Sequence, residues 1–449
     1  MPIPVHFRLL RYALFGVWAT CCTAAEAETL SEAVRRAVQA FPEVRAAAAN
    51  HRAVEQNVAE ARGELFPSVD ANLGQGRELS DNPVSRSRGD PSTLTRREAG
   101  ITFSQLLFDG GAAIGQVRRF EARTGGAAAQ VANAAESAGV RAALAYLDVL
   151  RLRGLLQLAA DNVKRHEDTL QQVALLADSG RGRRSDAQQA DARLALARSS
   201  LSQLRGQLAQ AEAAYRHVTG GWAAELADPG AFADKLPATV DAAVDELLAV
   251  NPAVRAAEKD LLAARADRDS ARARMMVPRV TLDAEASHNH DLGGVPGLYS
   301  DRRAMVNVHV PIFRGGADQA RVGEAEARID EAVANLGKVR NDAERDLRLA
   351  WDVLREDRNR LPQLTRYAST SAFVVDAYRS QFLIGQRSLL DVLNAENELY
   401  SAKSSLLTTA NAVTGGEVRV LGTMGKLLQA LGIDTEPVGA IDAGKGSRK

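Results

Sequence analysis

Phe41-Pro42-Glu43-Val44-Arg45-Ala46-Ala47 returns as Asn251-Pro252-Ala253-Val254-Arg255-Ala256-Ala257, and Phe108-Asp109-Gly110-Gly111 returns as Phe313-Arg314-Gly315-Gly316. Two echoes in the same order divide the chain into homologous halves. From the second echo onward the register holds at an offset of about 205 residues: Ala145 and Tyr146 meet Ala350 and Trp351, Gly180 meets Gly385, Asp186 meets Asp391, and Ser199-Ser200-Leu201 meets Ser404-Ser405-Leu406. So long a period signals a duplicated half-protein and not a solenoid.

Working outward, each half carries one order of elements. A helix over about 29 to 65, and again over about 240 to 276, ends before Pro67 or Pro278. Alternating segments follow. Val69, Ala71 and Leu73, then Ile101 and Phe103, alternate with polar residues in the first half. Val280, Leu282, Ala284 and Ala286, then Val306, Val308, Val310 and Ile312, do so in the second. A period of two over this length suits tilted membrane strands with one apolar face. The stretches 76 to 97 and 287 to 303, rich in Pro, Gly, Ser, Asp and Arg, read as polar loops.

Beyond the paired glycines, helical runs are expected over about 112 to 178 and 317 to 383, each on the order of 100 Å long. Leu347, Leu354, Leu361, Ala368, Val375 and Phe382 fall at seven-residue steps, the seam of a coiled coil. Pro362 is expected to kink or break that run. Turns at Gly180 and Gly385 reverse the chain into returning helices, so each half closes with an antiparallel hairpin. The resulting division is 1–27 export signal, 28–220 first repeat, 221–239 connector, 240–425 second repeat and 426–449 tail.

Strand number then demands an oligomer. Four short strands cannot close a barrel, and lipid tolerates no open sheet edge. Two chains would supply eight strands and three would supply twelve, and only the wider barrel opens into a conduit.

Composition and the N-terminus agree with an exported, largely helical protein. Aromatics are only 5% of the chain, fewer than an enzyme core would carry, and equal numbers of basic and acidic residues, 56 each, leave no excess charge for nucleic acid. Arg8 and Arg11, the apolar stretch from Tyr12 to Ala19 and Ala25-Glu26-Ala27 form an export signal that ends before Glu28. Cys21 and Cys22 both lie inside it, so the mature chain needs no disulfide. Lipidation of one of them is the competing reading, against which Trp18-Ala19-Thr20 is a poor preceding sequence.

The junctions Leu107-Phe108-Asp109-Gly110-Gly111 and Ile312-Phe313-Arg314-Gly315-Gly316, the turn from Gly385-Gln386-Arg387-Ser388-Leu389-Leu390-Asp391 to Val392-Leu393-Asn394-Ala395-Glu396, and the duplicated order resemble the TolC family of outer-membrane channel-tunnel proteins over about residues 28 to 425. The resemblance implies a mixed α and transmembrane β fold, in which a trimeric twelve-stranded barrel continues into a helical coiled-coil tunnel across the periplasm. It also implies an outer-membrane location and docking to a periplasmic adaptor and an inner-membrane transporter. The non-lipid N-terminus and the Phe-Asp-Gly-Gly junction favour the type I protein-secretion branch, with an ABC-type transporter and an RTX-type toxin as cargo by analogy, over the drug-efflux branch. No enzyme activity and no cofactor is implied.

By position in the family motif, Asp391 is the gate acid and Arg387 the latch arginine, with Ser185 and Asp186 as partners. Asn394 stands where a second acid is usual, and Phe382, which cannot donate a hydrogen bond, matches the latch tyrosine. Three copies of one carboxylate around a narrow axis would repel one another and attract cations. The alternative makes Asp391 a plain cap of the returning helix. Gly180, Arg183, Arg184, Gly385, Gln386 and Ser388 form the expected adaptor-docking tip. Other signals have plainer explanations. His288-Asn289-His290-Asp291 sits in an expected loop without a further ligand cluster, Arg88-Gly89-Asp90 is a short tripeptide, and His166-Glu167 lacks the second His of a zinc motif. An exported coiled-coil scaffold or adhesin would explain the heptads but not the four alternating segments.

Overall fold

The computed structural model describes residues 27–87 and 92–433. The export signal with its cysteines, the Arg88-Gly89-Asp90 tripeptide and the tail beyond 433 lie outside the described residues.

Thr29 opens the first helix, α1 (Leu30–Ala40), through a capping box in which its hydroxyl accepts from the Glu32 N–H and its own N–H donates to the Glu32 carboxylate at 2.9 Å. The expected single helix over 29 to 65 is in fact two, α1 and α2 (Pro42–Gly63). Its counterpart over 240 to 276 is likewise α6 (Val240–Val250) and α7 (Pro252–Met276). The cause is local: Phe41 and Asn251 each precede a proline, whose ring disfavours the α region for its neighbour, and both take ψ near 125°. Asn251 compensates by accepting from the N–H groups of Ala253 and Val254.

The long helices α4 (Ala112–Asp178) and α8 (Ala317–Leu383) each have 67 residues, and the returning helices α5 (Arg184–Thr219) and α9 (Leu389–Met424) each have 36. Every one of these boundaries is displaced by 205 residues between halves. The expected break at Pro362 does not occur, and α8 runs through it. Pro362 is exposed, so water can take the carbonyl its missing N–H leaves free, while Leu354 and Ala368 on either side are buried and hold the helix.

Along α4 pack α2, α5, α7 and α9. The main core lies partway along it, where Ala138, Ala142, Tyr146 and Val149 meet Val34 and Ala37 of α1, Tyr215 of α5, and Val418 and Leu421 of α9. Residues from 426 on begin as structure, since α10 (Leu427–Ala430) buries Leu427 and Leu428 in this core. Glu417, 2% exposed, ties the connector to the second half by accepting from the Phe232 N–H at 2.8 Å and pairing with Arg358 at 2.6 Å.

Four strands form one antiparallel sheet in the order β1 (Ser68–Ser80), β2 (Ser92–Phe108), β3 (Arg279–His290) and β4 (Leu298–His309), with the single helical turn α3 (Pro83–Arg86) between β1 and β2. They reach well into the stretches 76 to 97 and 287 to 303 expected as loops, and Arg77 still pairs with Thr95. Conversely, Val310 and Ile312 fall beyond β4. Register separates the two faces. Val69, Ala71, Leu73, Ile101, Phe103, Leu282, Ala284, Val306 and Val308 share one, while Asp70, Thr102, Ser104, Asp283, Glu285 and Asn307 share the other. On the polar face Asp283 accepts from Ser104, Thr281 and Asn307 at 2.6 to 2.7 Å. No helix among the described residues is long and apolar enough to cross a membrane. Among the described residues strands β1 and β4 end the sheet unpaired, as a barrel completed by further chains requires.

Gly110 must be glycine where the sheet hands over to α4. Its φ is +71°, and a β-carbon there would lie 2.6 Å from Cβ of Val277. Asp109 caps the helix that follows, accepting from Gly111 and Ala113 N–H at 3.0 and 2.7 Å.

Candidate gate and docking tip

Since α4 and α8 start at the sheet and run 67 residues, their turns lie on the order of 100 Å from it. Both turns close in the same way. Gly180 and Gly385 take φ of +74° and +80°, and the next residue's N–H reaches back to the carbonyls of Leu176 and Gln381 at 3.0 and 2.9 Å. Val173 and Ala190 of the first hairpin bury against Leu389 and Leu393 of the second, with Phe382 packed beside them. Both turns therefore share one end of the molecule. Phe382 is part of this apolar cluster at the tip.

Asp391 does not cap α9 by itself. Ser388 is the N-cap, accepting from the Asp391 N–H at 3.2 Å and donating its hydroxyl to the Asp391 carboxylate at 2.8 Å. One carboxylate oxygen of Asp391 is thus held, and its side chain stays 42% exposed with Arg387 3.8 Å away. Arg387 is placed by three neighbours: Asp391, the Gln381 side-chain oxygen at 3.1 Å, and the Tyr378 ring at 4.2 Å. Within the chain, Ser185 and Asp186 make no hydrogen bond or ion pair with Arg387 among the described residues. Both stand in the first turn of α5, where Asp186 donates its N–H to the Arg183 carbonyl. Asn394 instead joins the hairpins by accepting from Arg193 of α5 at 3.3 Å.

The two turns differ electrostatically. Ser388 caps α9, whereas Arg183 stands at the N-cap of α5 without a side-chain bond and Arg184 opens the helix. Positive charge at a helix N-terminus opposes the macrodipole. Gly180, Arg183, Arg184, Gly385, Gln386 and Ser388 are all exposed.

A buried polar cluster that sequence reasoning missed lies one to two turns behind Asp391. Glu396 of α9 has a fully buried side chain, and one of its oxygens takes two N–H groups of Arg379, at 2.8 and 2.6 Å. Its other oxygen has no hydrogen-bond partner and lies 3.7 Å from Nδ1 of buried His166 on α4. Burial raises the Glu396 pKa against the pull of Arg379. Burial, then Arg193, Arg379 and Arg165, lowers that of His166 and keeps it neutral at neutral pH. The signal was available: Glu396 follows Leu389 and Leu393 and precedes Leu399 on the apolar stripe of α9. Tyr378, one turn before the phenylalanine matched to the latch tyrosine, was also missed.

His288 and His290 belong to β3 and not to a loop, His288 contacts the Ser300 hydroxyl, and His290 pairs with Asp291. No cluster of three or more ligating side chains occurs among the described residues.

The model of a family described as outer membrane efflux protein matches residues 33–221 and 243–426. Outer membrane efflux protein BepC of Brucella suis biovar 1 is 26% identical, with 90% of this chain and 87% of that protein covered. Outer membrane protein TolC of Vibrio cholerae is 25% identical over 89% and 91%. Alkaline protease secretion protein AprF of Pseudomonas aeruginosa is 25% identical over 82% and 79%. Among solved structures, the CmeC outer membrane channel of Campylobacter jejuni superposes with a TM-score of 0.76 at 15% identity, covering 95% of this chain and 94% of that one.

Proposed function

From the membership of this chain in the outer membrane efflux protein family, a family of trimeric channels that work with periplasmic adaptors and inner-membrane transporters, we propose that it is the exit duct of a type I protein-secretion system. The protein is an outer-membrane channel and not an enzyme. The finer assignment is supported by one observation: the likeness to a protein named for protease secretion extends over most of both chains. An ABC-type transporter and a secreted protein of the RTX type are the partners this assignment brings with it.

In this reading the tip at 180–186 and 385–391 meets the adaptor. The uncapped, arginine-bearing start of α5 supports that role, because its unfavourable charge is relieved when acidic groups of a partner approach. Asp391, repeated three times about the axis, forms the constriction, and Arg387 holds it. Asn394, bound to Arg193, stiffens the hairpin pair. Residues 28–220 and 240–425 act as the two repeats that alternate around the tunnel, joined by 221–239.

The test is a deletion strain compared with its parent for secreted proteins and for sensitivity to small toxic compounds. Loss of one or a few large proteins from the medium with unchanged sensitivity is expected. Heightened sensitivity with an unchanged secreted set would overturn the assignment in favour of efflux.

A further inference from the structure

The arginines of the sheet are partitioned between its faces. On the polar face Arg96 pairs with Glu78 and Glu98, and Arg303 pairs with Glu285. Across the register, no Asp or Glu of the strands falls on the apolar face. Yet Arg77, Arg97 and Arg302 do fall there, all exposed and without a hydrogen bond or ion pair among the described residues. Arg97 exerts a Coulombic pull on Asp291, the least of the influences on that carboxylate, which the Gly297 N–H and His290 also hold.

Their positions are ordered. Arg97 pairs with Gln75, two residues short of Arg77; His288 pairs with Ala99, two residues past Arg97; and Arg302 pairs with Ala286, two residues short of His288. Arg77, Arg97, His288 and Arg302 thus step diagonally across β1 to β4. Strands tilted by about 35–45° shift residues of equal depth by roughly one to two positions per strand, so a diagonal of this kind follows the membrane surface. Each of the four stands beyond the apolar run of its own strand, on the side away from the helices.

We propose that Arg77, Arg97 and Arg302 form a cationic collar, with His288 on the same diagonal as a hydrogen-bonding group, that binds the phosphate groups of phosphorylated glycolipids in the surrounding outer leaflet. Guanidinium groups suit phosphate because they present paired N–H donors. Their carbon stems lie along the apolar band while the charged ends reach the headgroups. No strand carboxylate on this face competes with the phosphate. The proposal rests on the outer-membrane reading and gives that surface a ligand chemistry.

The test compares the intact trimer with the variant R77Q/R97Q/R302Q, using native mass spectrometry after exchange into nanodiscs of phosphatidylcholine doped with lipid A or with its dephosphorylated form. The wild type should retain lipid A, and the triple variant should bind it about a hundredfold more weakly. The variant R77K/R97K/R302K should recover much of the binding. Equal retention by wild type and triple variant, or equal retention of the dephosphorylated lipid, overturns the collar. Recovery of trimer and of channel conductance for the triple variant shows that it folds, whereas absence of a wild-type trimer from the membrane contradicts the underlying barrel reading instead.

Discussion

Replacing Arg379 with Met removes the cation that faces the fully buried carboxylate of Glu396. Removing one member of a buried pair costs about 3–5 kcal/mol when both are enclosed. The Arg379 side chain is 39% exposed and part of its effect is screened, so about 2 kcal/mol is expected at neutral pH. That corresponds to a roughly thirtyfold rise in local opening, read as faster amide hydrogen exchange in α8 and α9 around residues 379–396. The sign with pH follows from the burial that already raises the Glu396 pKa. Losing Arg379 raises it further, so the folded state holds the proton more firmly than the unfolded one. The penalty is therefore full at pH 8 and shrinks as the pH falls and Glu396 is protonated. Adding Glu396→Gln should restore slow exchange at all pH values. Unchanged exchange in R379M, or no relief from the second substitution, would refute the account of how the tip is held together.

Val306→Arg places a charge on the apolar face of β4 and should cost up to ~2–4 kcal/mol at mid-bilayer depth, seen as loss of trimer in membrane extracts. Glu136 of α4, which accepts the Leu428 N–H, is pushed by burial up to about 7. Its folded form binds the proton more tightly, so stability falls as the pH rises from about 4.5 to about 7. Glu136→Gln should remove that dependence and raise stability at pH 8 by at most about 3 kcal/mol, measured by thermal unfolding across pH. Cysteines at Arg183 and Gln386 should crosslink to a periplasmic adaptor in cells, whereas adaptor crosslinks confined to residues between β1 and β2 would show an inverted orientation.

The duplication was legible because Phe-x-Gly-Gly and x-Pro-x-Val-Arg-Ala-Ala mark backbone events, a left-handed junction and a helix restart, that tolerate few alternatives. The strand centres were legible because lipid demands an apolar residue at every second position. Their outer thirds were not. Beyond Leu73 and Ala99 both faces of the sheet meet water or headgroups, so the alternation fades while the hydrogen-bonded ladder continues through Arg77 and Thr95. Pro362 misled because a proline on a solvent-facing position of a long, well-packed helix costs less than the helix gains from packing. The charge on Asp391 was readable, but its Ser388 cap and the His166–Glu396 contact were not, since the latter joins residues 230 positions apart on different hairpins.

Single-channel recording of the purified protein in planar lipid bilayers tests the central claim most directly. Discrete conductance steps are expected, with preference for cations and block by multivalent cations added on the side of the helical tip. Asp391→Ala should weaken both preference and block, and Arg387→Ser should raise the resting conductance. A protein that gives no steps, or whose selectivity and block are unaltered by either substitution, would contradict a channel gated at this tip.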